Sequence, residues 1–181
     1  MNRMPLRLLV TALAATATLP AAALAQKASG SASVAASTDA EFVRKASASG
    51  LAEVTLGQLG ASKGNSADTK SFGEQMVKDH TAANDELKSI ASGKNLTVSP
   101  APMPADQKAA TAMGKKSGDE FDKAFAQKMV ADHQKAVALF TKESNSGKDP
   151  ELKAFATKTL PTLKEHLEMA KKLPGASGSG K

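Results

Sequence analysis

The chain contains no cysteine, no tryptophan and no tyrosine. Without cysteine there is no disulfide framework, no thiolate ligand for a metal and no lipid-anchored N-terminal cysteine. Six phenylalanines carry all the aromatic burial. A basic stripe with interleaved aromatics is also missing. The formal charge is +6, but Arg3, Arg7, Lys27 and Lys181 fall in the leader and tail, and what remains is 20 basic against 18 acidic residues that alternate along the chain. Nucleic-acid binding therefore has no support. There is no Gly-rich phosphate loop, nucleophile elbow, Cys–His pair or HExxH. With no catalytic motif, the sequence reads as a binding or structural protein rather than an enzyme.

Residues 1–25 have the form of a secretory signal peptide. Arg3 and Arg7 make a positive start, Leu8 to Leu19 a short apolar run, and Ala23-Leu24-Ala25 a small-x-small cleavage site. Cleavage is expected after Ala25. The apolar run is too short for a comfortable transmembrane helix, so the mature chain is expected to carry no membrane span. Export, most simply to a bacterial periplasm, follows, and association with the outer membrane is compatible with it.

The rest divides into a flexible Ala/Ser/Gly-rich leader (26–37), a helical domain (38–173) and a Gly/Ser-rich tail (174–181). Within the domain, apolar residues recur with a period near 3.6 in four stretches, and no strand-like alternation competes. The first stretch opens at a capping box, Thr38-Asp39-Ala40-Glu41, and ends near Gly64. Its glycines at 50, 57 and 60 permit close helix approach. The second starts at Asn65 or Ser66 and ends at Gly93. The third starts at another capping box, Ser117-Gly118-Asp119-Glu120. The fourth starts at Asp149-Pro150, an N-cap followed by proline at the first helical position, and has Pro161 inside it. Residues 94–116 hold Pro100, Pro102 and Pro104 and a short helical turn from Ala105 to Met113. A connection of that length either crosses the whole bundle or folds back at one end.

Every histidine of the chain lies on one of these apolar stripes, one per helix: His80, His133 and His166. The remaining helix carries Glu53 on its stripe. Counting at about 1.5 Å per residue puts Glu53 and His80 both roughly 20 Å from the turn between their helices, and His133 and His166 agree in depth within roughly one turn. Antiparallel pairs would bring all four into one central layer. Neutral imidazole and carboxylate bind divalent first-row metals, so this set can serve zinc, copper, iron or manganese. Met76, Met129 and Met169 lie one turn from a histidine, which would favour copper if a thioether also ligated. The alternative is a non-catalytic envelope or stress-response protein in which this layer is a metal-free structural network, its neutral histidines donating from one nitrogen and accepting at the other. Either way Glu53 needs a partner. Asp79, Asp132 and Glu165 point about 100° away from the neighbouring histidine. Asp79 and Asp132 are then either solvated surface or groups that orient a histidine from behind.

The blocks FGEQMVKDH (72–80) and FAQKMVADH (125–133) repeat at an offset of 53 residues. Together with GLAEVTLGQLG (50–60) and LKAFATKTLPTLKEHLEMA (152–170), they resemble the exported bacterial family catalogued as domain of unknown function four-one-four-two, often labelled "predicted outer membrane protein". The resemblance spans about residues 39–173. It implies an all-α, ferritin-like four-helix bundle with a long connection between the second and third helices. It implies no activity, substrate or protein partner. The four inward carboxylates and two ExxH motifs of di-iron bundles are absent, since Val77 and Leu163 stand three residues before His80 and His166.

Overall fold

The structure, a computed structural model, describes residues 22–176, with side chains from Thr38 onward. The expected signal peptide lies outside the described residues over 1–21, and the end of the expected tail lies outside them over 177–181. Among the described residues there are five helices and no strand: α1 (Ala22–Lys63), α2 (Ala67–Gly93), α3 (Pro104–Met113), α4 (Gly118–Ser146) and α5 (Pro150–Ala170). None is long and apolar enough to cross a membrane.

Two sequence expectations about helix starts need correction. The backbone is helical through 26–37, and Thr38–Glu41 lies inside α1 rather than capping its start. Alanine, the best helix former, is frequent enough here to carry the helix past the serines. The second capping box also fails to close, because Ser117 makes no side-chain cap. Its acids are engaged elsewhere. Asp119 accepts from the Asn65 side-chain Nδ2 at 2.9 Å, and Glu120 pairs with Lys116. Gly118 turns the chain into α4 with φ +56°, a left-handed conformation that suits glycine.

The other caps follow the sequence. Ser66 accepts from the Thr69 amide at the start of α2, and Asp149 accepts from the amides of Glu151 and Leu152 ahead of Pro150. A stronger device at α2 comes from a distant part of the chain. Asp122 of α4 is 2% exposed and accepts from the backbone amides of Asn65 and Ser66, each at 2.8 Å. The α1–α2 turn is thereby pinned to the first turns of α4.

α1 packs on α2, and α4 on α5; α1 also lies against α4, and α2 against α5. The direction of each pair can be read from its contacts. Gly50 faces Asn84 while Gly57 faces Gly73 and Met76, so α1 and α2 are antiparallel. Phe42 packs edge-on to Phe140, and Gly60 sits against Phe125, so α1 and α4 are antiparallel too. The α1–α2 seam is tight enough that a Cβ on Gly73 would fall 2.4 Å from the Ala61 nitrogen and 2.6 Å from the Gly57 oxygen. The segment after α2 runs beside α1 in the same direction. The Ser99 amide donates to Ser47 Oγ at 2.8 Å, and Lys63 donates to the Gly114 carbonyl at 2.7 Å.

The core has two apolar clusters. One gathers Phe42, Leu87, Phe140, Leu152, Phe155 and Leu163. The other gathers Leu56, Phe72, Met76, Phe121, Phe125 and Met129. On every long helix a buried ionisable residue falls between them: Glu53 on α1, His80 on α2, His133 on α4 and His166 on α5.

Candidate metal centre

Each histidine reaches the interior because it occupies a stripe position whose neighbours one turn away are buried apolar residues. Met76 precedes His80, Met129 precedes His133 and Leu163 precedes His166. The three rings form a nearly equilateral triangle, with centroids 5.6 Å apart for His80–His133 and 5.5 Å for each of the other pairs. One ligating nitrogen from each ring lies within 4.8 Å of the other two. Phe72 packs against two of the rings, 6.3 Å from His133 and 6.2 Å from His166, and so forms the apolar floor.

Hydrogen bonds fix which nitrogen of two rings is free. His133 Nδ1 is 2.9 Å from the Met129 carbonyl. A carbonyl only accepts, so Nδ1 carries the proton and Nε2 of the neutral ring keeps its lone pair. His166 Nε2 is 2.9 Å from Asp79 Oδ2. The carboxylate accepts, which leaves the lone pair on Nδ1. These free nitrogens, His133 Nε2 and His166 Nδ1, are buried without a hydrogen-bond partner, as is His80 Nε2.

The rings are also held neutral. Burial, reinforced by the charge that His133 and His166 would carry, pushes His80 down to about 3. Burial pushes His133 down to about 4, against the opposing pull of the Met129 carbonyl. His166 is lowered by burial as well, although Asp79 resists. Neutral imidazole is the form that binds a metal.

The structure separates the other sequence candidates from this triangle. Glu53 is buried at the same level but is not one of the residues whose ligand atoms meet within 4.8 Å. Its charged neighbours are Asp132, Lys128 and Asp106. Burial first, then Asp132, raises its pKa well above the carboxylate range. Its Oε2 has no partner. Asp132 orients no histidine; it is paired with Lys128 one turn earlier on α4, and Lys128 also donates to Asp106 of α3 at 2.8 Å. Asp79 does hold a ring, but the ring belongs to His166 on the facing helix rather than to its neighbour His80. Gln75 steadies it with a 2.6 Å hydrogen bond. Among the methionines, Met76 and Met129 are fully buried, whereas Met169 is 36% exposed.

Asp122, Asp106 and Lys128 went unread in the sequence. The i,i+4 spacing of Lys128 and Asp132 was the one available signal, because such pairs share a helix face.

The protein is thus an all-helical one with a buried cluster of three neutral histidines. Its chain matches the family described as Domain of unknown function (DUF4142) over residues 16–173 and belongs to that family. No curated protein and no solved structure matches it.

Proposed function

We propose that this is an exported protein that binds one transition-metal ion through His80, His133 and His166. The supporting observation is the set of three buried imidazole nitrogens, one per ring, that have no hydrogen-bond partner and converge within 4.8 Å. A closed metal-free network would have paired them, since unsatisfied buried polar atoms cost about 1–3 kcal/mol each. A cation shared by three lone pairs removes that cost at once. Three neutral imidazoles suit zinc, copper, iron or manganese, with a fourth position open to water. Asp79 would orient His166 and raise its basicity, as carboxylates behind metal-bound histidines do.

In this reading the four long helices form a ferritin-like bundle. Antiparallel contacts between α1 and both α2 and α4 support it, as does the course of residues 99–114 alongside α1. The signal-like pattern over 1–25 supports a periplasmic site of action. The role is binding or handling of the metal; the sequence gives no reaction to assign.

The test is metal analysis and thermal melting of the purified protein with zinc, copper, iron and manganese in turn. One ion per chain should bind, and at a hundred times its dissociation constant it should stabilise the fold by about 2.7 kcal/mol. His133→Ala should abolish that gain. Melting that is indifferent to all four metals would remove the proposal.

A further inference from the structure

Beside the histidine triangle a groove of about 320 Å³ opens between α1, α3 and α4. Its walls carry Glu53, Asp106 and Asp132, and Lys45 and Lys135 stand at its edge. Glu53 is the innermost of the acids, 2% exposed, with Oε2 unpartnered. Asp106 and Asp132 are held together by the one ammonium of Lys128.

The groove also leads inward. Ser49 and Ala136 line it, and the same two residues line a second cavity of about 20 Å³ whose far wall includes His80 and Asn84. That cavity is large enough for about one water. Two of its polar atoms, His80 Nε2 and Asn84 Nδ2, are buried without partners. Ser49 and Ala136 therefore stand between the groove with its acids and the cavity against His80. Along the helices, the two apolar clusters with their phenylalanines lie to either side of the triangle.

We propose that this groove is the loading site through which a divalent transition-metal ion reaches the histidine triangle. Asp106 and Asp132 draw the hydrated ion from solvent, with Lys128 displaced as it arrives. Glu53 then carries the ion past Ser49 and Ala136 to His80. The proposal rests on the metal-binding reading above.

It is tested by stopped-flow uptake of Co²⁺ by the metal-free full chain, compared with Glu53→Gln, Asp106→Asn and His133→Ala. A loading group lowers the barrier in both directions. Glu53→Gln should therefore slow uptake and release together, by about tenfold or more, and leave the equilibrium affinity within about twofold of the native chain. Asp106→Asn should slow uptake severalfold and flatten its dependence on ionic strength. This change at a partly exposed position keeps the test open if Glu53→Gln fails to fold. Rates unchanged in Asp106→Asn and Glu53→Gln would overturn the proposal. So would faster release with unchanged uptake in Glu53→Gln, which would make Glu53 a ligand instead. If the native chain takes up no Co²⁺ and matches His133→Ala, the metal reading has failed and the loading site falls with it.

Discussion

His166 Nε2 lies 2.9 Å from Asp79 Oδ2, across the seam between α5 and α2. This contact sets the tautomer of His166 and leaves its Nδ1 lone pair in the interior. Asp132, at the equivalent place in the repeated block, makes no such contact and is bound to Lys128. The two acids therefore separate experimentally. Asp79→Ala should weaken metal binding by about 10–100-fold in competition with a chelator, the usual cost of losing a carboxylate behind a ligating histidine. Asp132→Ala should leave the equilibrium affinity close to that of the native chain.

The depressed histidines make the metal-free fold sensitive to acid. Their folded values lie below the ordinary value near 6.5, at about 3 for His80 and about 4 for His133. Below about pH 6.5 the unfolded chain takes up protons that the folded chain refuses, so stability falls as pH falls toward 4. Glu53 and Glu143 act in the opposite sense, because their values are raised. The clean readout is the native chain against His80→Gln, by chemical denaturation from pH 7 to 4.5. The native chain should lose about 1 kcal/mol per pH unit relative to the variant. Parallel curves would contradict a buried, neutral His80.

Asp122 should behave as a cap supplied from another helix. Burial alone would raise its pKa, but hydrogen bonds from the Asn65 and Ser66 amides and from the Ser66 and Thr69 hydroxyls outweigh this and lower it. Its contribution is therefore complete above the ordinary aspartate value and is lost as pH falls through the lower folded one. Asp122→Ala should cost about 1–2 kcal/mol and speed hydrogen exchange at the Asn65 and Ser66 amides. Unchanged exchange at those two amides would count against the cap.

Glu143 is a place where the fold can be improved. Its pKa is raised by burial first and then by Asp39 and Asp149, and neither its Oε1 nor Asp39 Oδ1 has a partner. A raised carboxylate gives its best stability below about pH 4.5 and loses it as pH rises. Glu143→Gln keeps the shape and removes the charge. At pH 7 it should stabilise the protein by about 0.5–1.5 kcal/mol, with the gain shrinking toward pH 4.

Gly73 offers a packing test with no charge involved. A methyl group there would meet backbone at 2.4 Å and 2.6 Å, and backbone cannot turn aside as a side chain can. Gly73→Ala should cost about 1–3 kcal/mol by forcing α1 and α2 apart. Gly93→Ala, where a Cβ meets nothing within 4 Å, is the control and should be nearly neutral.

Much of this was legible from residue order alone. The 3.6 period located the long helices and put His80, His133, His166 and Glu53 on buried stripes, because periodicity reports which face of a helix is apolar. Asp149-Pro150 and Ser66 gave true caps, since a cap is made by residues close in sequence. The start of α1 was misread, and the box at the correctly placed start of α4 stays open, for the converse reason. Thr38-Asp39-Ala40-Glu41 has the letters of a cap inside a longer helix, and the acids after Ser117 are drawn away by Asn65 and Lys116.

The order of residues determined that this protein is helical, that it has neither thiol nor disulfide chemistry, and that three histidines and a glutamate are buried at similar depth. Only the tertiary structure decided how those four divide. The histidines meet one another, and Glu53 stands among Asp132, Asp106 and Lys128 at the head of a groove. Depth along a helix follows from counting residues. Which neighbour a side chain meets depends on helix rotation and on partners 50 to 90 positions away, such as Asp122 with Asn65 or Asp79 with His166, and no local pattern encodes them.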